Sequence, residues 1–142
     1  MELLYVPSPS VIVKWACQTI DPKEPDRSLD LLQLWLEGGC EFALPPLWSA
    51  EVGSLLARLD PQRAPELMEI LLGFRFTEVP MTAELVRGAQ QLMQQCGVDY
   101  YPALYHAVAL QQGGTLITSD ASYFRSARRA GGVLLLKDFS AA

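Results

Sequence analysis

Asp120 and Glu51 are the acids whose surroundings point to chemistry. Asp120 directly follows a short apolar run, Thr115 to Thr118, and precedes a helical-looking segment carrying Arg125, Arg128 and Arg129. An acid placed where a buried strand stops and a helix starts lies at the carboxyl edge of a sheet, and open α/β sheets bind ligands at that edge. Asp is also a favoured helix N-cap, so a purely capping role explains the same position. The arginines have two readings as well. They can steer phosphates, or they can offset the acidic surface and the C-terminal ends of helices. Glu51 lies at the edge of the apolar stripe Trp48, Val52, Leu55, Leu56 and Leu59, one turn from Leu47 and Leu55. Its neighbours shield it partly from water. The alternative is a glutamate that reaches the rim or pairs with Lys14 or an arginine.

Other candidates carry less chemistry. His106 is the only histidine and has no nucleophile paired with it in sequence, so it reads as a hydrogen-bonded core residue. Tyr100, Tyr101, Tyr105, Tyr123 and Phe124 are able to stack on RNA bases. At their spacing, core packing is the expectation for most of them. No Walker loop and no GxGxxG is present, which disfavours a nucleotide-fold enzyme.

The elements that must position these residues follow from apolar runs and their breakers. Leu3 to Val6 read as the first strand, stopped by Pro7-Ser8-Pro9. Ser10 to Trp15 read as a buried helix start, with Ser8 or Ser10 as N-cap; the β-branched run could equally continue the strand through a kink, and the helix is preferred because the first strand already has its length. Asp21 to Arg27 read as a loop. Ser28 to Glu37 show helical spacing and end at Gly38-Gly39. Glu41 to Leu44 form a second strand, and Leu47 to Leu59 the helix that carries Glu51. Ala64 to Leu72 form another helix, and Phe74 to Val79 read as a third strand. Thr82 to Cys96 form a helix with Thr82 as cap. Tyr100 to Gln111, apolar nearly all round, form a deeply buried helix in which Pro102 fits only the first turn. The strand at Thr115 comes next, then the helix after Asp120, then a last apolar strand, Val133 to Leu136. Short strands apolar on both faces, with helices between them, predict a three-layer α/β/α sandwich around a mostly parallel sheet.

Composition sets the outer limits. The chain has 142 residues, enough for one domain with one core, so residues 1–142 read as a single domain. Half the residues are hydrophobic and 19% are charged, which excludes a disordered chain. A net charge of −5 argues against coating duplex DNA through bulk charge. Cys17, Cys40 and Cys96 form no CxxC pair, and read as free thiols in a reducing compartment. The N-terminus lacks the pattern of a signal peptide, and no apolar run approaches the roughly 20 residues of a membrane span. The expectation is a cytoplasmic protein with no membrane association.

Four segments, in order, resemble PIN domains. They are the first strand followed by SVIVKW, the stretch LPPLWSAEVGSLL with its glutamate, the helix YYPALYHAVA, and GTLITSDASYF with its Thr-x-Asp strand end. The resemblance runs through almost the whole chain, and the length suits a single-domain toxin of the VapC type. It implies a metal-dependent ribonuclease whose acids gather at the carboxyl edge to hold Mg²⁺ or Mn²⁺. Hard cations prefer carboxylate oxygens. Such ions activate water and neutralise charge on the phosphate under attack. It also implies an RNA substrate, a homodimer and an antitoxin-like partner.

Carried over by position, the resemblance makes Glu51 and Asp120 the catalytic and metal-binding acids. Two further acids of the pattern are missing. Ser8 stands after the first strand where an aspartate is expected, and Pro102 stands before Ala103-Leu104-Tyr105 where another is expected. Asp99, one turn upstream of Pro102, either replaces a missing ligand or caps the buried helix. Ser8 and Ser10 hydroxyls can orient a bound water but carry no charge. Two functions follow. One is a PIN domain with a degenerate site, its nuclease activity lost or much reduced, that acts by binding RNA or protein. The other is a weak ribonuclease with one ion held by Glu51, Asp120 and Asp99. A receiver-like or flavodoxin-like module is a third reading, disfavoured by the missing acidic pair and phosphate loop.

Overall fold

The structure is a computed structural model that describes residues 3–17 and 27–141. The expected loop at Asp21 to Arg27 lies outside the described residues except for Arg27. Among the described residues there are four strands and seven α-helices. Strand β1 is Leu4–Pro7, followed by α1 (Pro9–Ala16), α2 (Arg27–Leu36), β2 (Glu41–Phe42), α3 (Trp48–Leu59) and α4 (Ala64–Gly73). Then come α5 (Ala83–Cys96), α6 (Tyr100–Gln112), β3 (Thr115–Thr118), α7 (Ala121–Ala127) and β4 (Val133–Leu135).

The boundaries follow from local chemistry. Pro9 opens α1, where its missing N–H costs nothing. The Thr82 hydroxyl accepts the Leu85 N–H at 3.1 Å and caps α5. Gly97 and Gly113 end α5 and α6 in the left-handed conformation, which glycine adopts without a Cβ clash. Gly114 has a different reason to lack a side chain: a Cβ there would stand 2.5 Å from the Leu4 carbonyl oxygen.

The sheet has the order β2-β1-β3-β4, and every pairing is parallel. The chain moves from β1 outward to β2, then returns across β1 to β3 and continues to β4. Right-handed crossovers place α1 and α2 on one face and α6 and α7 on the other. Strand order therefore reverses between β1 and β3, and in open α/β sheets ligands bind beyond the carboxyl ends of the strands at that point. The α/β sandwich read from the sequence is the fold observed.

One expected strand is absent. Phe74 to Val79 make a single bridge, Leu44 with Glu78, and no ladder. Arg75 takes φ of +55°, which breaks an extended run. The segment instead turns its rings inward. Phe74 and Phe76 both meet Trp35, at 5.9 and 5.1 Å between ring centres, and Phe76 also packs on Trp15 and Trp48. Each such aromatic pair adds about 0.5–1.5 kcal/mol beyond area burial. The cluster joins α1, α2, α3 and β2, and two indole N–H groups at its margin find acceptors. Trp15 donates to the Ser28 carbonyl at 2.7 Å, and Trp48 donates to Glu78 at 2.9 Å. No described helix is long and apolar enough to cross a membrane.

Candidate functional site

At the carboxyl ends of β1 and β3 the hydrogen bonds join Ser8, Ser10 and the Thr118–Asp120 segment. The Ser8 N–H donates to the Ile117 carbonyl at 2.9 Å, which ties the end of β1 to β3. Ser8 occupies the N-cap of α1, but its hydroxyl does not cap the helix. It lies 2.7 Å from the Ser10 hydroxyl, and that oxygen accepts the Ser119 N–H at 3.3 Å. Thr118 Oγ1 accepts the Asp120 N–H at 3.1 Å. Asp120 Oδ1 in turn accepts the Tyr123 N–H at 3.0 Å. The capping geometry at Asp120 is thus present, and the carboxylate remains exposed at the sheet edge.

Glu51 lies in the first turn of α3, half-buried. Its partner is a phenol and not a cation: Tyr105 Oη donates to Glu51 Oε1 at 2.9 Å. Burial pushes the Glu51 carboxyl above its ordinary value, and the Tyr105 hydrogen bond opposes that push without overcoming it. Burial likewise raises the Tyr105 phenol, reinforced by the Glu51 charge and by the hydrogen bond itself. Tyr105 is 1% exposed. A buried phenol needs a hydrogen-bond partner; the sequence signals that need but not which acceptor meets it. Pro102 occupies the first turn of α6, one helical turn before Tyr105.

The remaining candidates are dispersed. Asp99 sits at the N-cap position of α6, yet its side chain makes no capping bond. Of the three arginines, Arg125 shares α7 with Asp120, while Arg128 and Arg129 lie in the 3₁₀ turn at the far end of that helix. Arg129 donates to the Gln95 carbonyl at 3.4 Å, near the C-terminus of α5, where a cation complements the helix dipole.

His106 is a buried core residue, as its surroundings in sequence indicated. Its Nε2 lies 2.7 Å from the Gly131 carbonyl, and its Nδ1 2.8 Å from the Tyr123 hydroxyl. A carbonyl only accepts, so Nε2 carries the proton and Nδ1 accepts from Tyr123. Burial lowers the His106 pKa, against an upward pull from the Gly131 bond. Among the aromatics considered for stacking, Tyr105 and Tyr123 are core, Tyr100 and Phe124 are half-buried, and Tyr101 is 54% exposed.

These residues do not fit the divalent ion that the resemblance implies. Among the described residues, no group of three or more His, Cys, Asp or Glu side chains could hold a metal. Ser8 and Pro102 add no charge, Glu51 has one oxygen engaged by Tyr105, and Asp120 has one engaged by the α7 backbone.

The fold has close counterparts among solved structures. VapBC2 from Rickettsia felis, solved bound to a DNA fragment from their promoter, aligns with a TM-score of 0.67 at 17% identity, over 94% of this chain and 97% of its own. A toxin-antitoxin complex from Klebsiella pneumoniae aligns at 0.64 and 14%, over 95% and 98%. VapC20 from Mycobacterium tuberculosis, described as a sarcin-ricin loop cleaving toxin, aligns at 0.64 and 18%, over 92% and 96%. At such identities the likeness is one of fold. No curated protein matches the sequence significantly. The PIN domain family model, however, matches residues 10–130, from the start of α1 to the turn before β4. Together with the parallel sheet and its edge, that match shows that the chain belongs to the PIN domain family.

Proposed function

We propose that this protein is a PIN domain whose nuclease activity is lost or much reduced and which acts by binding. The observation that supports this best is the Tyr105–Glu51 hydrogen bond. The glutamate matched to the family's helix-borne acid is half-buried and has one oxygen taken by a phenol. A carboxylate oxygen already held by a phenol is less free to ligate a hard cation, which seeks several carboxylate oxygens. The serine at position 8 and the proline at position 102 point the same way.

The partners proposed are RNA and an antitoxin-like protein. The first rests on family membership and on the basic side chains after Asp120, with Arg125, Arg128 and Arg129 as the phosphate contacts. The second rests on fold likeness to the Klebsiella pneumoniae toxin-antitoxin complex. A homodimer and a cytoplasmic location belong to the same proposal.

The test is cleavage of a single-stranded RNA in Mn²⁺ and in EDTA, with wild type beside Glu51→Ala and Asp120→Ala. The expected result is no metal-dependent cleavage by any of the three folded proteins. Metal-dependent cleavage that disappears in Asp120→Ala would refute the reading. It would establish instead a weak ribonuclease with one ion near Glu51, Asp120 and Asp99.

A further inference from the structure

We infer that the carboxyl edge of this sheet takes no divalent cation and that its ligand is bound without metal, an inference that rests on the binding reading above and deepens it. Each acid at the edge already has one oxygen in a hydrogen bond. Glu51 accepts from Tyr105, and Asp120 accepts from the α7 backbone. The residues beside Asp120 bring hydroxyls: Ser8 bonds Ser10, Ser10 accepts from Ser119, and Thr118 accepts from Asp120. Among the described residues, no buried side-chain nitrogen or oxygen lacks a hydrogen-bond partner. A serine hydroxyl brings no negative charge to offset the dehydration of Mg²⁺, whereas a carboxylate does.

Pro102 completes the argument. Residues three apart on a helix share a face, so position 102 lies on the side of α6 from which Tyr105 reaches Glu51. A carboxylate there would approach Glu51, and one at position 8 would approach Ser10 and Ser119 beside Asp120. Acids gathered in that way repel one another unless a cation is bound. With serine and proline in their place the repulsion is absent, and the edge is held by hydrogen bonds alone.

The experiment is a Mn²⁺ titration of the full-length protein followed by electron paramagnetic resonance. Wild type is expected to show no saturable binding at millimolar Mn²⁺, and the same affinity for a single-stranded oligoribonucleotide in Mg²⁺ as in EDTA. Ser8→Asp combined with Pro102→Asp is expected to raise Mn²⁺ affinity by about tenfold or more. Both replacements suit their positions, since Asp favours an N-cap and an acid favours the first turn of a helix. Saturable wild-type binding that Glu51→Gln or Asp120→Asn abolishes would overturn the inference. So would a double variant, folded by circular dichroism, that binds no better than wild type. Should the double variant not fold, the wild-type titration beside Glu51→Gln decides. The two readings fail separately: Mn²⁺ binding without RNA cleavage overturns this inference alone, and EDTA-resistant RNA cleavage overturns the binding reading alone.

Discussion

Replacing Tyr105 by phenylalanine removes one O–H group and leaves the packed ring in place. The ring is 1% exposed, so its packing contribution survives the change. A hydrogen bond to a charged acceptor contributes about 1.5–3 kcal/mol. Glu51 is half-buried, and water replaces part of what the phenol supplied. The expected cost is therefore at or below the low end, about 1–1.5 kcal/mol. In a chain of this size that lowers the melting temperature by roughly 2–6 °C.

A second readout separates the pair from general packing. The phenol holds the Glu51 pKa down against the larger upward push of burial, so its loss raises that pKa further. The titration of the Glu51 side-chain carbon by ¹³C NMR reads this directly. Because the folded-state pKa lies above the ordinary 4.5, Glu51 contributes stability that is complete below 4.5 and is lost as pH rises through the folded value. Tyr105→Phe moves that loss to higher pH, and Glu51→Gln removes it while keeping an acceptor for the phenol. A Glu51 pKa that stays or falls in Tyr105→Phe would refute the reasoning. So would strictly additive costs for Tyr105→Phe and Glu51→Ala, because interacting neighbours show coupling in a double-mutant cycle.

Two further outcomes are expected. His106 folds neutral with its pKa below the ordinary 6.5, so its contribution is complete above that value and is lost as pH falls through the lower folded value. Denaturant midpoints measured across this range should decline toward acid in wild type. His106→Leu should flatten the decline while costing about 2–4 kcal/mol, because the Gly131 carbonyl and the Tyr123 hydroxyl lose their partner; an unchanged slope would remove His106 as its source. Asp120→Ala should cost about 1 kcal/mol through the lost α7 cap, while Asp120→Asn, which keeps an acceptor for the Tyr123 N–H, stays within about 0.5 kcal/mol. Equal losses in the two variants would mean that charge, and not the cap bond, holds the start of α7.

Much of the fold was legible because short-range rules govern it. Thr115 to Thr118 form a strand with the bounds read from the sequence, since an apolar run between Gly114 and Ser119-Asp120 leaves little else to do. Prolines and glycines marked the helix ends for the same reason. Phe74 to Val79 were misread because an apolar, aromatic-rich run looks alike whether it pairs in a sheet or packs its rings on a tryptophan. The choice was made by Trp35 and Trp15, from helices far away in the chain.

The amino-acid sequence alone determined the layered α/β architecture, because it depends on residue type and on spacing within single elements; which positions should carry acids came only from the likeness to PIN domains. Tertiary structure alone decided what the acids touch. Tyr105 and Glu51 are 54 residues apart, and no periodicity in either helix names the other. The same is true of Ser10 and Ser119, 109 residues apart, and of His106 between Tyr123 and Gly131. Hydrogen bonds are directional and short, so their partners are set only when the sheet brings the ends of β1 and β3 together and α6 is laid across them.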